Sequence, residues 1–326
     1  MRRMHPSQLW KPNRYKFRPA FPSQLRFNYI QGMPRISIVG IGRVGGALAL
    51  VLDGSGYQID HLLVRGTTTA ERIVPKLTRP TTVGSLKSAS EIDSDVIIIA
   101  TADPDISIVA EQLADFLSKP SIVIHTSGSL SSEVLSRLEE VGCPTGSMHP
   151  LVSISDAISG ASNFHGAYFC VEGDPTAVEA AEAIVRELGG KSFSINAEQK
   201  SLYHAAAVTA CGHLVALIDV AIEMLSKCGL EPAKAKQILM PLIKSTIANL
   251  ETQSPSEALT GTFARADFAA FARHLESISK NTSSEAKDIY LLLGRRSIDL
   301  AERNGADPSR VAMIRKSISI AKEKSE

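Results

Sequence analysis

The apolar positions of this chain change their period once. Up to about residue 196 they come in short runs, at 36–39, 59–64, 95–100 and 121–125, separated by polar stretches with helical spacing. Runs this short and this continuously apolar are strands buried on both faces, as in a parallel sheet crossed by helices. Weaker strand signals follow at 81–83, 145–148, 167–171 and 191–195. Helices are expected after the first strand, at 105–117 and at 176–188, the last opened by Asp174-Pro175, an N-cap residue with proline at the first helical position. Beyond Asn196 no strand signal recurs, and 3.6-residue periodicity runs through 198–227, 232–251, 267–278, 283–304 and 307–322. The pattern predicts an α/β chain: a doubly wound parallel sheet over residues 34–196, then an all-α C-terminal domain over 197–326, after a leader of residues 1–33. A site in the cleft between two such domains is the natural expectation.

The first strand runs into Gly40-Ile41-Gly42-Arg43-Val44-Gly45 and then the apolar helix. This is G-x-G-x-x-G in the context its chemistry requires. The first glycine permits the tight turn, the second admits a pyrophosphate to the backbone, and the third lets helix and strand pack closely. The N–H groups of Arg43 and Val44 then face the anion at the helix N-terminus. At the end of the second strand, where NAD-binding chains carry an acid for the ribose 2′-hydroxyl, this one reads Val64-Arg65-Gly66-Thr67. Arg65 and Thr67 offer donors to a 2′-phosphate, which favours NADP as the cofactor. Ala100-Thr101-Ala102 and Ser127 fall at carboxyl ends of later strands, where ligands of such sheets bind, so the nicotinamide end should pass them.

Charge narrows the partners. Residues 1–32 hold seven bases, and no acid precedes Asp53; the remaining 28 bases stand against 34 acids, so the body is mildly acidic. An acidic body gathers no phosphate polymer, which excludes a nucleic-acid partner and points to a small molecule. The leader has two readings: an organelle-targeting segment, from its Arg-rich, acid-free composition, or a disordered extension of a body that begins near Met33. The expected location is otherwise the cytoplasm. Cysteines 143, 170, 211 and 228 have neither metal-ligand nor disulfide spacing, so no metal is expected. The most apolar stretch, 208–225, is interrupted by His213, Asp219 and Glu223, which argues against a membrane span.

The segments HTSGSLSSEVL, GSMHPL, KSLYHAAAVTACGHLVALIDVA and ALTGTFARADFAAFARHL, after a glycine turn of this kind, resemble the Rossmann-like and DUF2520 domain-containing proteins. These are relatives of pyrroline-5-carboxylate reductase and of the 6-phosphogluconate dehydrogenase-like group. The resemblance covers roughly residues 34–326. It implies a 6-phosphogluconate dehydrogenase-like helical domain, NADP-dependent oxidoreductase activity, association into a homodimer and, from one branch of the family, a ketopantoate reductase-like role in pantothenate synthesis. Two departures fall in the helical domain, Thr260-Gly261-Thr262 and Arg265-Ala266-Asp267, where the family is expected to show TGP and RGD.

Hydride transfer from a nicotinamide to a carbonyl needs a proton donor and a substrate anchor from the protein. Lys200 and His204 are spaced i, i+4 on the helix that opens the second domain. Lys200 is the candidate donor to the carbonyl oxygen, and His204 the candidate that orients it. His149, before Pro150, is a second candidate relay. Three functions compete: reduction of a small carbonyl acid such as 2-dehydropantoate, reduction of a cyclic imine, and NADP sensing without turnover. Only the first two require Lys200 and His204 to be chemically engaged.

Overall fold

The computed structural model describes residues 34–66, 68–86 and 92–323. The leader and Thr67 lie outside the described residues. The chain divides between Tyr203 and His204 into two compact units.

The first unit is built on an eight-stranded sheet in the order β3-β2-β1-β4-β5-β6-β7-β8. Its strands are β1 (Arg35–Val39), β2 (Gln58–Leu63), β3 (Thr82–Gly84), β4 (Val96–Ile99), β5 (Ile122–His125), β6 (Thr145–Pro150), β7 (Tyr168–Gly173) and β8 (Lys191–Phe193). All pairings are parallel except β6 with β7. The expectation of a parallel sheet is therefore corrected at one place. A parallel return needs a crossover over a sheet face. The connection from β6 to β7 holds only the single turn Ala161–Phe164, and the chain doubles back beside β6 instead.

Both faces of the sheet are covered, as the continuous apolar runs require. On one, Ile36, Ile38, Ile98 and Ile124 pack with Leu48 and Leu52 of α1 (Arg43–Gly54) and with Ala177 and Ile184 of α5 (Pro175–Glu187). On the other, Val39, Ile97, Ile99 and Val123 pack with Ile106, Val109 and Leu113 of α3 (Asp103–Phe116) and Leu138 of α4 (Ser136–Glu140). A fully buried isoleucine contributes about 2 kcal/mol of transfer free energy, so β4, buried at every position, is the spine of the unit.

The second unit is helical, as its periodicity predicts. One helix expected over 198–227 is instead a 3₁₀ turn, Ala197–Gln199, then α6 (Lys200–Ala210) and α7 (Gly212–Lys227), with the break at Cys211, whose backbone sits at φ −112°, ψ −71°. There follow α8 (Pro232–Thr252), α9 (Pro255–Ala258), α10 (Gly261–Ala264), α11 (Phe268–Asn281), α12 (Ser284–Arg303) and α13 (Pro308–Glu323). Helix α9 is one that periodicity missed, although Ser254 and Glu257 form a full capping box before it. The core gathers Phe271, Leu291, Ile298, Val311, Ile314 and Ile318. Ala266, where the family is expected to have glycine, takes φ +47°, a left-handed conformation that costs a non-glycine residue about 1 kcal/mol. Its methyl is fully buried, which offsets that cost, and Asp267 still caps α11 by accepting from Ala270 N at 3.0 Å.

The turn from β1 into α1 positions the site, and each glycine in it has a distinct duty. Gly40 has φ +90°, and a Cβ there would stand 2.8 Å from Thr101 N. A Cβ on Gly45 would stand 2.0 Å from the carbonyl oxygen of Gly40. At Gly42 nothing lies within 4 Å of the added carbon. Two glycines are thus required by the protein's own packing, and the third faces open space. Gly45→Ala must push α1 off β1 and is expected to cost roughly 3 kcal/mol of stability. Urea denaturation monitored by circular dichroism measures it; a loss below about 0.5 kcal/mol would contradict this packing.

Candidate active site

The glycine turn opens onto a crevice of about 900 Å³ at the carboxyl ends of β1, β2 and β4. Gly40, Gly42, Val64, Arg65, Ala100, Thr101 and Ala102 line it, together with Asp105, Ile108 and Gln112 of α3. The strand order reverses between β1 and β4, the place where doubly wound sheets bind dinucleotides. Helix α1 has no side-chain cap on Gly42 and no acid in its first turn, so its leading N–H groups are left for an anion. The Thr101 hydroxyl oxygen is buried without a hydrogen-bond partner among the described residues. A nicotinamide dinucleotide fits this donor set and this open second glycine. Of the predicted contacts, Gly40, Gly42, Arg65 and Ala100–Ala102 line the crevice, Gly45 closes the turn behind it, and Arg43 and Val44 form the first turn of α1. Arg65 does not stand alone there: its guanidinium donates to the Asp105 carboxylate, an acid that the sequence reading did not connect with it.

A second polar centre lies on the other half of the sheet. Register places Ile99, His125 and Ser147 side by side on β4, β5 and β6, and Ser147 opposite Glu172 on β7. His149 and Cys170 form the next outward-matched pair along β6 and β7. Because side chains alternate along a strand, Ser147 and His149 share one face with Cys170 and Glu172. The start of α6 lies over that face: Lys200 Nζ donates to Ser147 Oγ and to Glu172 Oε1 at 3.1 Å, and the Tyr203 hydroxyl meets His149 Nδ1 at 2.7 Å.

Lys200 is only 1% exposed. Burial pushes its ammonium pKa below the ordinary lysine value, and the Glu172 carboxylate pulls in the opposite direction. Glu172 is the hub: it also accepts from Ser132 N at 3.0 Å and Ser132 Oγ at 2.9 Å. Burial likewise pushes the Tyr203 phenol well above its usual value. The sequence reading named Lys200 and His149 and set Tyr203 aside as a weaker candidate, but missed Glu172, Ser132 and Ser147, since their relation depends on the antiparallel turn of β7. Lys200, Tyr203 and His204 lie on the less exposed side of α6.

Ser127 organises the loop after β5 rather than standing open in it. Its hydroxyl accepts from Ser129 N at 3.2 Å and Leu130 N at 3.1 Å, and Ser129 Oγ donates to Asp103 at 2.5 Å. His125 anchors the same loop from beneath. Its Nδ1 accepts from Ser127 N at 3.1 Å, so the neutral ring carries its proton on Nε2, which donates to the carbonyl of Ser131 at 3.1 Å.

Fold and crevice together define a Rossmann-type dinucleotide-binding unit joined to a helical one. Residues 25–150 match the model of a Rossmann-like domain, and residues 167–297 match that of the domain of unknown function DUF2520. The chain belongs to the Rossmann-like and DUF2520 domain-containing proteins. Its fold is similar to that of a protein from Bacteroides fragilis, at 21% identity and TM-score 0.68 over 82% of this chain and 98% of that one. It is also similar to Plasmodium falciparum pyrroline carboxylate reductase with NADP bound, at 15% identity and TM-score 0.52 over 86% of this chain and 99% of that one. In sequence, 117 residues are 30% identical to glycerol-3-phosphate dehydrogenase [NAD(P)+] of Listeria monocytogenes, covering 33% of this chain. The match spans 35% of that relative, so the chain accounts for about a third of the length of the curated proteins it matches.

The buried His125 carries a pH signature. Burial, reinforced by the Lys200 cation, holds its imidazole down to about 4. The unfolded chain takes up that proton near pH 6.5 while the folded one refuses it. The stability due to the neutral ring is therefore complete above about pH 6.5 and is lost as pH falls toward 4, by about 3 kcal/mol. His125→Gln, which can still donate to Ser131, should show a visibly flatter unfolding free energy between these pH values. Equal slopes for the two proteins in urea titrations would refute the assignment.

Proposed function

We propose that the chain is an NADPH-dependent reductase of a small carbonyl acid, with 2-dehydropantoate as the first substrate to try and pantoate as its product. The division of labour among the three glycines, with open space at Gly42 and the Arg65 guanidinium at the rim, supports a dinucleotide carrying a 2′-phosphate. Bound NADPH supplies the hydride. The chain's part is to orient the carbonyl, exclude water and deliver a proton. Lys200 is assigned that proton: a lysine desolvated among hydrogen-bond partners is poised to give up a proton more readily than one in water. Ser147 and Glu172 fix its Nζ, His204 one turn further along α6 orients it, and His149, braced by Tyr203, is the second candidate relay. The hydroxyls of Ser127 and Ser129 are spent on the loop's own N–H groups and on Asp103, so the part of this loop, held by His125, is to keep its shape beside the sheet.

NADPH oxidation in the presence of 2-dehydropantoate and, separately, pyrroline-5-carboxylate tests the activity. Lys200→Ala should lower turnover by roughly 10²- to 10³-fold, equivalent to about 3 to 4 kcal/mol, with little change in NADPH affinity. Because the single change strands the buried Glu172 carboxylate, the double variant Lys200→Ala/Glu172→Gln is the cleaner comparison and should lose as much. Near wild-type turnover in it would move the proton donor to His149. Turnover of pyrroline-5-carboxylate alone would make the enzyme an imine reductase, and binding of NADPH without oxidation by either substrate would favour a sensor.

We also propose that the protein works as a cytoplasmic homodimer joined through its helical unit. Helix α7 buries none of its residues within the chain, and Leu214, Val215 and Leu217 on it and Ile238, Leu242 and Leu250 on α8 are exposed. Among the described residues the run Ala197–Lys227 is also long and apolar enough, by length and composition, to cross a membrane. Light scattering at micromolar concentration should give twice the chain mass. A monomer would exclude the dimer, and recovery of the protein with the membrane fraction would assign the apolar face to lipid.

A further inference from the structure

The crevice contains a carboxylate where its proposed ligand carries a phosphate. Among the described residues lining it Asp105 is the one acid, and it comes from the first turn of α3 rather than from the end of β2. The other acids close by in sequence are engaged elsewhere. Asp103 accepts from Ser129 Oγ at 2.5 Å, and Asp60 accepts from Ser94 Oγ at 3.2 Å and faces Arg35 at 3.6 Å. Asp105 instead takes the guanidinium of Arg65, which is 80% exposed and reaches across the mouth of the crevice to do so.

We infer that Asp105 is a specificity-determining residue that holds back the preference for NADP and keeps NAD usable. This rests on the reading of Arg65 as the 2′-phosphate contact. The chemistry is a competition. A guanidinium paired with a carboxylate must exchange that partner for the phosphate, and the displaced carboxylate then lies near a doubly charged group that repels it. With the 2′-hydroxyl of NAD the same carboxylate is an acceptor, the part an acid plays at the end of the second strand in NAD-binding chains. Arg65 and Asp105 thus form a two-way reader, each favouring one form of the ribose.

Titration calorimetry of the full chain with NADPH and with NADH, repeated for Arg65→Ala and Asp105→Asn, decides the matter. Asp105→Asn should raise the ratio of NADPH to NADH affinity about tenfold, through tighter NADPH and unchanged or weaker NADH, and Arg65→Ala should lower that ratio. The pair 2′,5′-ADP and 5′-AMP should reproduce both shifts, which places the effect at the ribose rather than at the nicotinamide. Unliganded melting curves, and Asp105→Ser as a second neutral variant, separate a change of recognition from a change of fold. If Asp105→Asn leaves or lowers the ratio while Arg65→Ala reduces it, the role of Asp105 is overturned and the NADPH reading stands. If Arg65→Ala leaves the ratio as it was, the reading of Arg65 fails and this inference with it.

Discussion

A carbonyl oxygen and a glycine carbon determine how the first strand of the sheet hands over to its first helix. The carbonyl of Gly40 lies where a side chain on Gly45 would have to be, so β1 and α1 meet with nothing between their backbones. That contact fixes the angle at which α1 leaves the sheet, and with it the direction of its uncapped N–H groups. The crevice walls follow from the same constraint. Residues 100–102 close against Gly40, Arg65 closes the far rim from β2, and α3 supplies the apolar side through Ile108 and Val109.

The other half of the sheet solves a different problem. A lysine buried against a sheet face needs a counter-charge and a full set of acceptors, or its burial costs several kcal/mol. The antiparallel return of β7 sets Glu172 opposite Ser147, and the carboxylate takes both Lys200 and the Ser132 turn. One buried anion therefore ties the loop after β5, strand β7 and the first residue of α6 to each other. His125 remains neutral beside this cation, and its two ring nitrogens are spent on the backbone of the loop. A charged ring in that position would set a second cation beside Lys200, which repels it. Electrostatics and loop geometry here have a single cause.

What could be read from the residues follows the range of the interactions. Strands whose apolar runs are buried on both faces, such as Val96–Ile99, and the glycine turn beside them are local patterns, and they emerge at nearly the expected positions. Long amphipathic helices such as α12 do likewise. The antiparallel β7 was not visible, because strand direction depends on a connection whose single 3₁₀ turn leaves no periodic trace. The break at Cys211 was equally silent, since apolar residues continue on both sides of it. Lys200 could be singled out by type and spacing, but its partner Glu172 is 28 residues away on a strand whose pairing was not known. Arg65 was legible as a donor at the end of β2, whereas Asp105, 40 residues later, becomes its partner only when α3 is folded against the crevice. Local chemistry survives in the sequence, and pairings across the sheet do not.

We propose that the Gly40–Gly45 turn holds the pyrophosphate of a nicotinamide dinucleotide, with the ribose toward Arg65. A crystal structure of the protein grown with NADPH tests this most directly. It should show the pyrophosphate on the backbone N–H groups at the start of α1, passing over the bare carbon of Gly42, and the 2′-phosphate against the guanidinium of Arg65. A dinucleotide bound anywhere else, or a crevice left vacant at saturating NADPH, would contradict the account.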